Sequence, residues 1–343
     1  MSLTKQAIPH EQIRALACRE IQKEVDQITE LHGGFFNTAF LIEFRDGERA
    51  VLKISPPPKV KLMRGEETLM QTEIEAIQAI ASQSDLPVPH VLASRRGEGL
   101  VSGSYFFMRH ISGVPLESCI NVLAETALTR VYTKLGQFSR TLHGIRGSYF
   151  GNLHAPKRCW REFFLSAAEE LFLDAEEIGA VYLTDLGEAR AMFEASGYTL
   201  DEVKEPVLLH RDMWFGNIFL DPESCEITGV IDWERSLYGD PLLDFVFANL
   251  EGDFAREGVA VYYDGPASRL ELRRAAFYLG YGKSECLSES EQLRIDLYTY
   301  YYLLLVTVEG FFRGYRDESQ EQQAQDILAR ILARLKTRLA QCG

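Results

Sequence analysis

The chain is poor in cysteine, has no excess of positive charge and carries no long apolar run. Its six cysteines (Cys18, Cys119, Cys159, Cys225, Cys286 and Cys342) lie more than thirty residues apart. That excludes a zinc-ligand pair and a dense disulfide framework, and reads as scattered reduced thiols. Thirty-six Lys and Arg against 50 Asp and Glu leave a net charge of -14 and a pI near 5.1. Such a field repels phosphate backbones, so no nucleic-acid partner is expected. The most apolar stretch, Leu297 to Val308, is 12 residues between Asp296 and Glu309. A membrane span needs roughly 20, so this reads as a buried helix and no membrane partner is expected. The N-terminus, MSLTKQAIPHEQIRAL, has no apolar core after its first charge, which points to a cytoplasmic protein. Repeats, low-complexity tracts and long flexible linkers are also lacking. What is there, 46% hydrophobic and 25% charged residues, suits one or two packed domains and excludes disorder or a collagen-like chain.

Short β-type runs dominate the first hundred or so residues. Thr38 to Phe44, a turn at Asp46-Gly47 and Arg49 to Ile54 read as a hairpin, ended by Pro56-Pro57-Pro58. Glu66 to Ser82 places Leu69, Ile74, Ile77 and Ile80 near one face at helical spacing, with acidic residues in its first half where the dipole favours them. Val88 to Ser94 and Tyr105 to Arg109 are further strand candidates, joined by a turn containing Gly97, Gly99 and Gly103. From about Ser112, helical patterns take over: Ala124 to His143, Trp160 to Glu177, Leu183 to Ala195, Ala267 to Tyr281, Glu289 to Phe312 and Ser319 to Gln341. Residues 1–108 hold 12 basic and 14 acidic side chains, and the rest hold 24 and 36, so the acidity sits in the helical part.

One β-rich island, Pro206 to Asp232, interrupts the helices. An apolar run from Val207 to Leu209 delivers His210-Arg211-Asp212, and Asn217 follows five residues after Asp212. Short strands at Ile218 to Leu220 and Ile227 to Ile231 turn at Asp221-Pro222, and the second ends on Asp232. Asp212, Asn217 and Asp232 are thereby brought close together. Phosphoryl transfer needs such a trio: a carboxylate to accept the proton of an attacking hydroxyl, and two oxygen ligands for magnesium.

With IDWE and GDPLLD following, the segment resembles the aminoglycoside phosphotransferase and choline kinase branch of the protein-kinase-like fold, a likeness covering nearly the whole chain. The resemblance implies an α+β, bilobal molecule, with residues 1–109 as a β-rich nucleotide-binding lobe and 110–343 as a helical catalytic and substrate-binding lobe. It implies Asp212 as catalytic base, Asn217 and Asp232 as Mg2+ ligands, and His210 and Asp240 as support for the catalytic loop. Lys53 fits the strand lysine that contacts the nucleotide phosphates. Glu73 fits its ion-pair partner, with Glu75 as the alternative. Gly33, Gly34 and Asn37 fall in a loop over the phosphates, and Met108 to Ile111, including His110, would be the hinge holding the base.

The departures narrow the function. The loop is GGFFN rather than G-x-G-x-x-G, and Asp232 is followed by Trp233-Glu234. The chain then runs straight to Gly239-Asp240-Pro241 with no room for an activation segment, so a protein substrate is not expected. Arg211 is the residue of protein kinases, where small-molecule kinases often carry Gly or Asn. The implied activity is transfer of a γ-phosphate from ATP or GTP to a hydroxyl of a small molecule. The acidic helical part favours a cationic one, such as an aminoglycoside or amino alcohol; a neutral metabolite, a macrolide or a nucleotide-binding pseudokinase are the alternatives. Gly280-Tyr281-Gly282-Lys283-Ser284 ends like a phosphate loop, but a helical pattern precedes it, so it reads as a helix end with a glycine cap. The row Tyr298, Tyr300, Tyr301 and Tyr302 reads as a core helix, part of which could line the substrate pocket, and His10, His90, His110, His143 and His154 form no metal pair.

Overall fold

A computed structural model describes residues 2–96, 101–152, 154–250 and 267–342. Gly97 and Gly99 lie outside the described residues; Gly103 lies within them, at a positive φ of 99° before the strand that starts at Tyr105.

An antiparallel sheet forms the N-terminal part, from β1 (Val25–Leu31), β2 (Thr38–Phe44), β3 (Arg49–Ile54), β4 (Val91–Arg95) and β5 (Tyr105–Arg109), in the spatial order β1-β2-β3-β5-β4. The hairpin from Thr38 to Ile54 is as the sequence predicts, with Gly47 at φ 85° in its turn. The alternation of a strand sends side chains to opposite faces, and on β3 this decides the chemistry. Ala50, Leu52 and Ile54 point to helix α1 (His10–Ile21), where they pack with Ile13, Leu16 and Ala17. Val51 points the other way, into a cluster with Met70, Ile74, Ile77 and Ile80 of helix α2 (Leu69–Gln83). Lys53, two residues on from Val51, therefore faces α2. The predicted helix from Glu66 is resolved into a single 3-10 turn, Glu66–Thr68, followed by α2.

After a short segment containing β6 (Val114–Pro115) and α3 (Leu116–Cys119), the chain becomes helical: α4 (Glu125–Leu142), α5 (Trp160–Glu177), α6 (Leu186–Leu200), α7 (Ala267–Tyr281), α8 (Glu289–Arg313) and α9 (Glu318–Cys342). α4 and α7 cross so closely that a Cβ on Gly136 would lie 2.1 Å from the Phe277 carbonyl, and one on Gly280 1.9 Å from that of Thr133. α7 ends at Tyr281, and Gly282, at φ 79°, donates its N–H back to the carbonyls of Tyr278 and Leu279. The sequence from Gly280 to Ser284 is thus a helix terminus. α8 opens on a capping box between Ser288 and Glu291 and buries the tyrosine row. Among the described residues no helix is long and apolar enough to cross a membrane.

The island from 206 to 239 lies between these parts as β7 (Val207–Leu209), β8 (Ile218–Leu220), β9 (Ile227–Val230) and β10 (Leu237–Gly239), with β7 paired to β10 and β8 to β6 and β9. One apolar cluster joins it to both sides: Met108 and Phe106 of the sheet, Ile74 of α2, Phe138 and Leu142 of α4, and Leu208 and Trp233. The loops that carry His210 to Asn217 and Asp232 to Ser236 are therefore fixed against a dry floor.

Candidate active site

Lys53 is the junction of the site. Its Nζ donates to Glu73 Oε1 and to Asp232 Oδ1, both at 2.7 Å. Burial disfavours the ammonium, but the carboxylates of Asp232, Glu73 and Glu234 outweigh it and hold Lys53 well above the usual lysine range. Of the two glutamates open as its partner, Glu73 is the one engaged. Glu75 points elsewhere and receives Gln71 at 2.6 Å. Glu73 is fully buried, which pushes its carboxyl up to about 7 against the pull of Lys53. Asp232 sits at φ 69°, a left-handed backbone that turns its side chain back toward Lys53. Its carboxyl is held low: burial works against ionisation, and the attraction and hydrogen bond of Lys53 overcome it.

Asp212 and Asn217 lie opposite. Asn217 Nδ2 donates to the Asp212 carbonyl at 2.8 Å and to its Oδ2 at 3.2 Å, which locks the five-residue loop and leaves the other carboxylate oxygen of Asp212 open. Burial raises the Asp212 carboxyl to about 7; Arg235 pulls it down and the charge of Asp232 pushes it up. A carboxylate of that basicity suits a general base near neutral pH.

His210 is fully buried. Its Nε2 meets the Ile231 carbonyl at 2.9 Å and its Nδ1 receives the Asp212 N–H at 3.1 Å, so it ties the two loops together. Burial holds its pKa low, which fits the neutral ring these bonds require. The direct hold on the loop comes from a residue that sequence reasoning missed, Asp244. Its two oxygens take the backbone N–H groups of His210 and Arg211, and His143 Nε2 lies 3.1 Å from one of them. Asp240 stands one step further back. It caps the turn Pro241–Leu243 through the Leu242 N–H, which positions Asp244, and its carboxylate meets Tyr298 at 2.8 Å and Arg294 at 2.9 Å on α8.

Gly33 and Gly34 are exposed, at φ values open to any residue and with space around them. Asn37, at the end of that loop, is buried and donates to Glu234 Oε2 at 2.8 Å. Phe35 and Phe36 fasten the loop to the end of α8, against Tyr315 and under Arg313. Met108 pairs with Val51 and Val91 in the sheet and buries its side chain in the shared cluster. The His110 N–H is spent on the Arg49 carbonyl at 3.2 Å.

The donors around Asp232 are all oxygens. Asn217 keeps its carbonyl oxygen clear of the Asp212 bonds, Asp232 keeps its second carboxylate oxygen, and Glu234 brings a third acid within 4.8 Å of Glu73 and Asp232. Glu73 Oε2 is buried with no hydrogen-bond partner. Oxygen-only sets of this kind suit Mg2+ rather than zinc or copper, so the residues fit the ion the sequence implies.

Residues 27–278 match the family model described as the phosphotransferase enzyme family. The chain belongs to that family. This phosphotransferase-family chain shares its fold with aminoglycoside phosphotransferase APH(4)-Ia, solved as a thermostable mutant in a ternary complex with AMP-PNP and hygromycin B; the TM-score is 0.65 at 18% identity, over 94% of this chain and 98% of that one. The GDP complex of an aminoglycoside 2′-phosphotransferase-IIIa mutant superposes with a TM-score of 0.62 at 17% identity, over 95% and 97% of the two chains. Among curated sequences, acyl-CoA dehydrogenase family member 11 of Rattus norvegicus is 21% identical over 233 residues. That match takes in 65% of this chain but 28% of the rat protein, so the family member described here spans under a third of that relative's length.

Proposed function

We propose that the chain is a magnesium-dependent kinase that transfers the γ-phosphate of ATP or GTP to a hydroxyl of a small molecule. The observation that carries this reading is the convergence of Lys53, Glu73 and Asp232 on one side and Asp212 with Asn217 on the other, at loops fixed by a shared apolar floor. Lys53 would meet the α- and β-phosphates, kept charged by Glu73. Asn217 and Asp232 would hold Mg2+, which when bound neutralises charge on the phosphates. Asp212 orients the acceptor hydroxyl and takes its proton as the new O–P bond forms, while the bond from the γ-phosphorus to the bridging oxygen breaks and the nucleoside diphosphate leaves. Little covalent chemistry is asked of the protein; positioning and charge neutralisation supply the rate.

The AMP-PNP and GDP complexes of the two structural neighbours support a nucleotide donor of this type. The acidity of the helical part favours a cationic acceptor on long-range steering alone.

The test is nucleoside diphosphate release under Mg2+ with ATP and then GTP, across a panel of hydroxylated small molecules of positive, neutral and negative charge, with Asp212→Asn as the blank. Release stimulated by an acceptor and absent in the blank supports the reading. Tight nucleotide binding with no acceptor-dependent release would favour a scaffold that binds nucleotide without transfer.

A further inference from the structure

A cavity opens beside the catalytic loop, between α5, α8, the turn at Glu66–Thr68 and the segment Glu234 to Ser236. Most of its charges are neutralised within the protein. Arg64 pairs with Asp174 and with Glu177, Glu66 with Arg313 at 2.7 Å, Arg235 with Glu309, and Glu234 accepts from Asn37. Two remain. Glu170 is exposed on α5 at the mouth; partial desolvation and the nearby Asp174 raise its carboxyl, and solvent screens what charge it carries. Arg211 is half-buried inside, lines this cavity and the smaller one beyond Tyr301, and makes no ion pair among the described residues.

The guanidinium of Arg211 has five N–H donors, and its one acceptor among the described residues is the Arg235 carbonyl at 3.4 Å. It lies 5.8 Å from the Tyr301 ring, which supports it without neutralising it. Its backbone is at φ 69°, a strained conformation for a side chain of this size, and Asp244 holds it there by taking the N–H groups of residues 210 and 211. A half-buried cation without a counterion is costly, and here it sits on the residue next to the proposed base. The distant acidity of the helices is screened by solvent, whereas a group in the cavity meets Arg211 directly.

We propose that the phosphate acceptor carries a compact anion, a carboxylate or a phosphate, and that Arg211 binds it and sets the hydroxyl at Asp212; this rests on the phosphotransferase reading above. The planar fork of arginine matches both anions with paired hydrogen bonds. Arg211 is then a specificity-determining residue, and amino alcohols without an acid group are poor acceptors.

The test is equilibrium binding to the full chain loaded with Mg2+ and a non-hydrolysable ATP analogue. The probes are short hydroxy acids against their primary amides, polyol phosphates against the free polyols, and ethanolamine as the cation. One or both anion classes should bind at least about tenfold more tightly than their neutral partners, and the class that does so identifies carboxylate or phosphate. Arg211→Met should abolish the preference, Arg211→Lys should keep part of it, and Arg211→Glu should favour ethanolamine. The Lys variant, with its thermal midpoint, separates loss of the anion site from loss of the fold. Equal binding of anion and neutral partner, unchanged selectivity in Arg211→Met, or no binding of any anion overturns the proposal. Selective anion binding with no transfer to any acceptor would instead sink the kinase reading and leave the anion site standing. Transfer to neutral or cationic acceptors that ignores Arg211 would do the reverse.

Discussion

The Asp244 carboxylate accepts the backbone N–H of His210 at 2.9 Å on one oxygen and that of Arg211 at 2.7 Å on the other. These two bonds set the turn that presents Asp212, and they also trap Arg211 in a left-handed conformation. Truncating the carboxylate orphans two backbone donors at a site only 1% exposed. Each orphan costs about 1–3 kcal/mol, so Asp244→Ala should lower the unfolding free energy by about 2–6 kcal/mol in urea denaturation. Asp244→Asn keeps one acceptor but turns an amide donor toward a backbone donor, so it should fold while turnover drops at least about 100-fold. A folded Asp244→Asn with normal turnover would show that the loop does not depend on this residue.

Lys53 holds two carboxylates, and removing it leaves Glu73 buried with no cation. Breaking one side of such a pair costs about 3–5 kcal/mol. Lys53→Met should therefore be destabilised by an amount of that order, with nucleotide affinity also reduced. Magnesium should return part of the stability in that variant, because a divalent cation can replace the missing ammonium among the acids. A thermal midpoint in Lys53→Met that ignores magnesium would count against an ion site at Asp232.

Much of this site is legible in the sequence because its parts are local. Asp212 and Asn217 share one loop, Asp232 ends the strand that follows, and Lys53 and Glu73 are connected by one turn and a helix. The structure also separates Glu73 from Glu75, which spacing alone leaves open. Asp244 was not legible, because its role is to accept backbone N–H groups more than thirty residues away; the only signal was its place as the last residue of GDPLLD. The pairing of Glu66, Glu309, Arg313 and Arg235 is hidden for the same reason, as it joins residues up to 247 apart. Helix α1 mixes small apolar residues with charged ones, and of these Ile13, Leu16 and Ala17 are buried, so its face is plain only when β3 is placed beneath it.

The raised carboxyl of Asp212 makes activity and stability depend on pH in opposite directions. A base must be ionised, so kcat/KM should climb with pH along an acidic limb governed by Asp212. Its apparent pKa should fall at or below about 7, since bound magnesium adds positive charge. For stability, a carboxyl whose folded pKa lies above its unfolded value contributes fully below the unfolded pKa. That contribution is lost as pH rises through the folded one. Asp212 and Glu73 at about 7 and Glu234 at about 8 all act in this sense. Without magnesium, the unfolding free energy should decline from about pH 4 toward pH 8, and Asp212→Asn should flatten the decline while nearly abolishing turnover. Denaturation of both proteins across that range checks it; an identical slope in the two would remove Asp212 as the titrating group.

Gly280 offers a test of the scaffold at a residue that touches none of the proposed catalytic groups. In an unpacked helix Gly→Ala is favourable by about 1 kcal/mol, because alanine has the higher helical propensity. Here α4 and α7 touch backbone to backbone: a Cβ at residue 280 would come within 1.9 Å of the Thr133 carbonyl, and one at residue 136 within 2.1 Å of the Phe277 carbonyl. Neither neighbour is a flexible side-chain end that could swing aside, so the two helices must separate. The separation would open the packing of Phe277 and Tyr278 against Phe245, which lies one residue beyond Asp244. Gly280→Ala should therefore be destabilised by about 1–3 kcal/mol, as overpacked cores are, and the sign is opposite to what propensity gives. Because the strain reaches Asp244 through Phe245, turnover should fall modestly while nucleotide affinity holds. A stabilised Gly280→Ala would mean that the two helices part at little cost and that this crossing does not brace the catalytic loop.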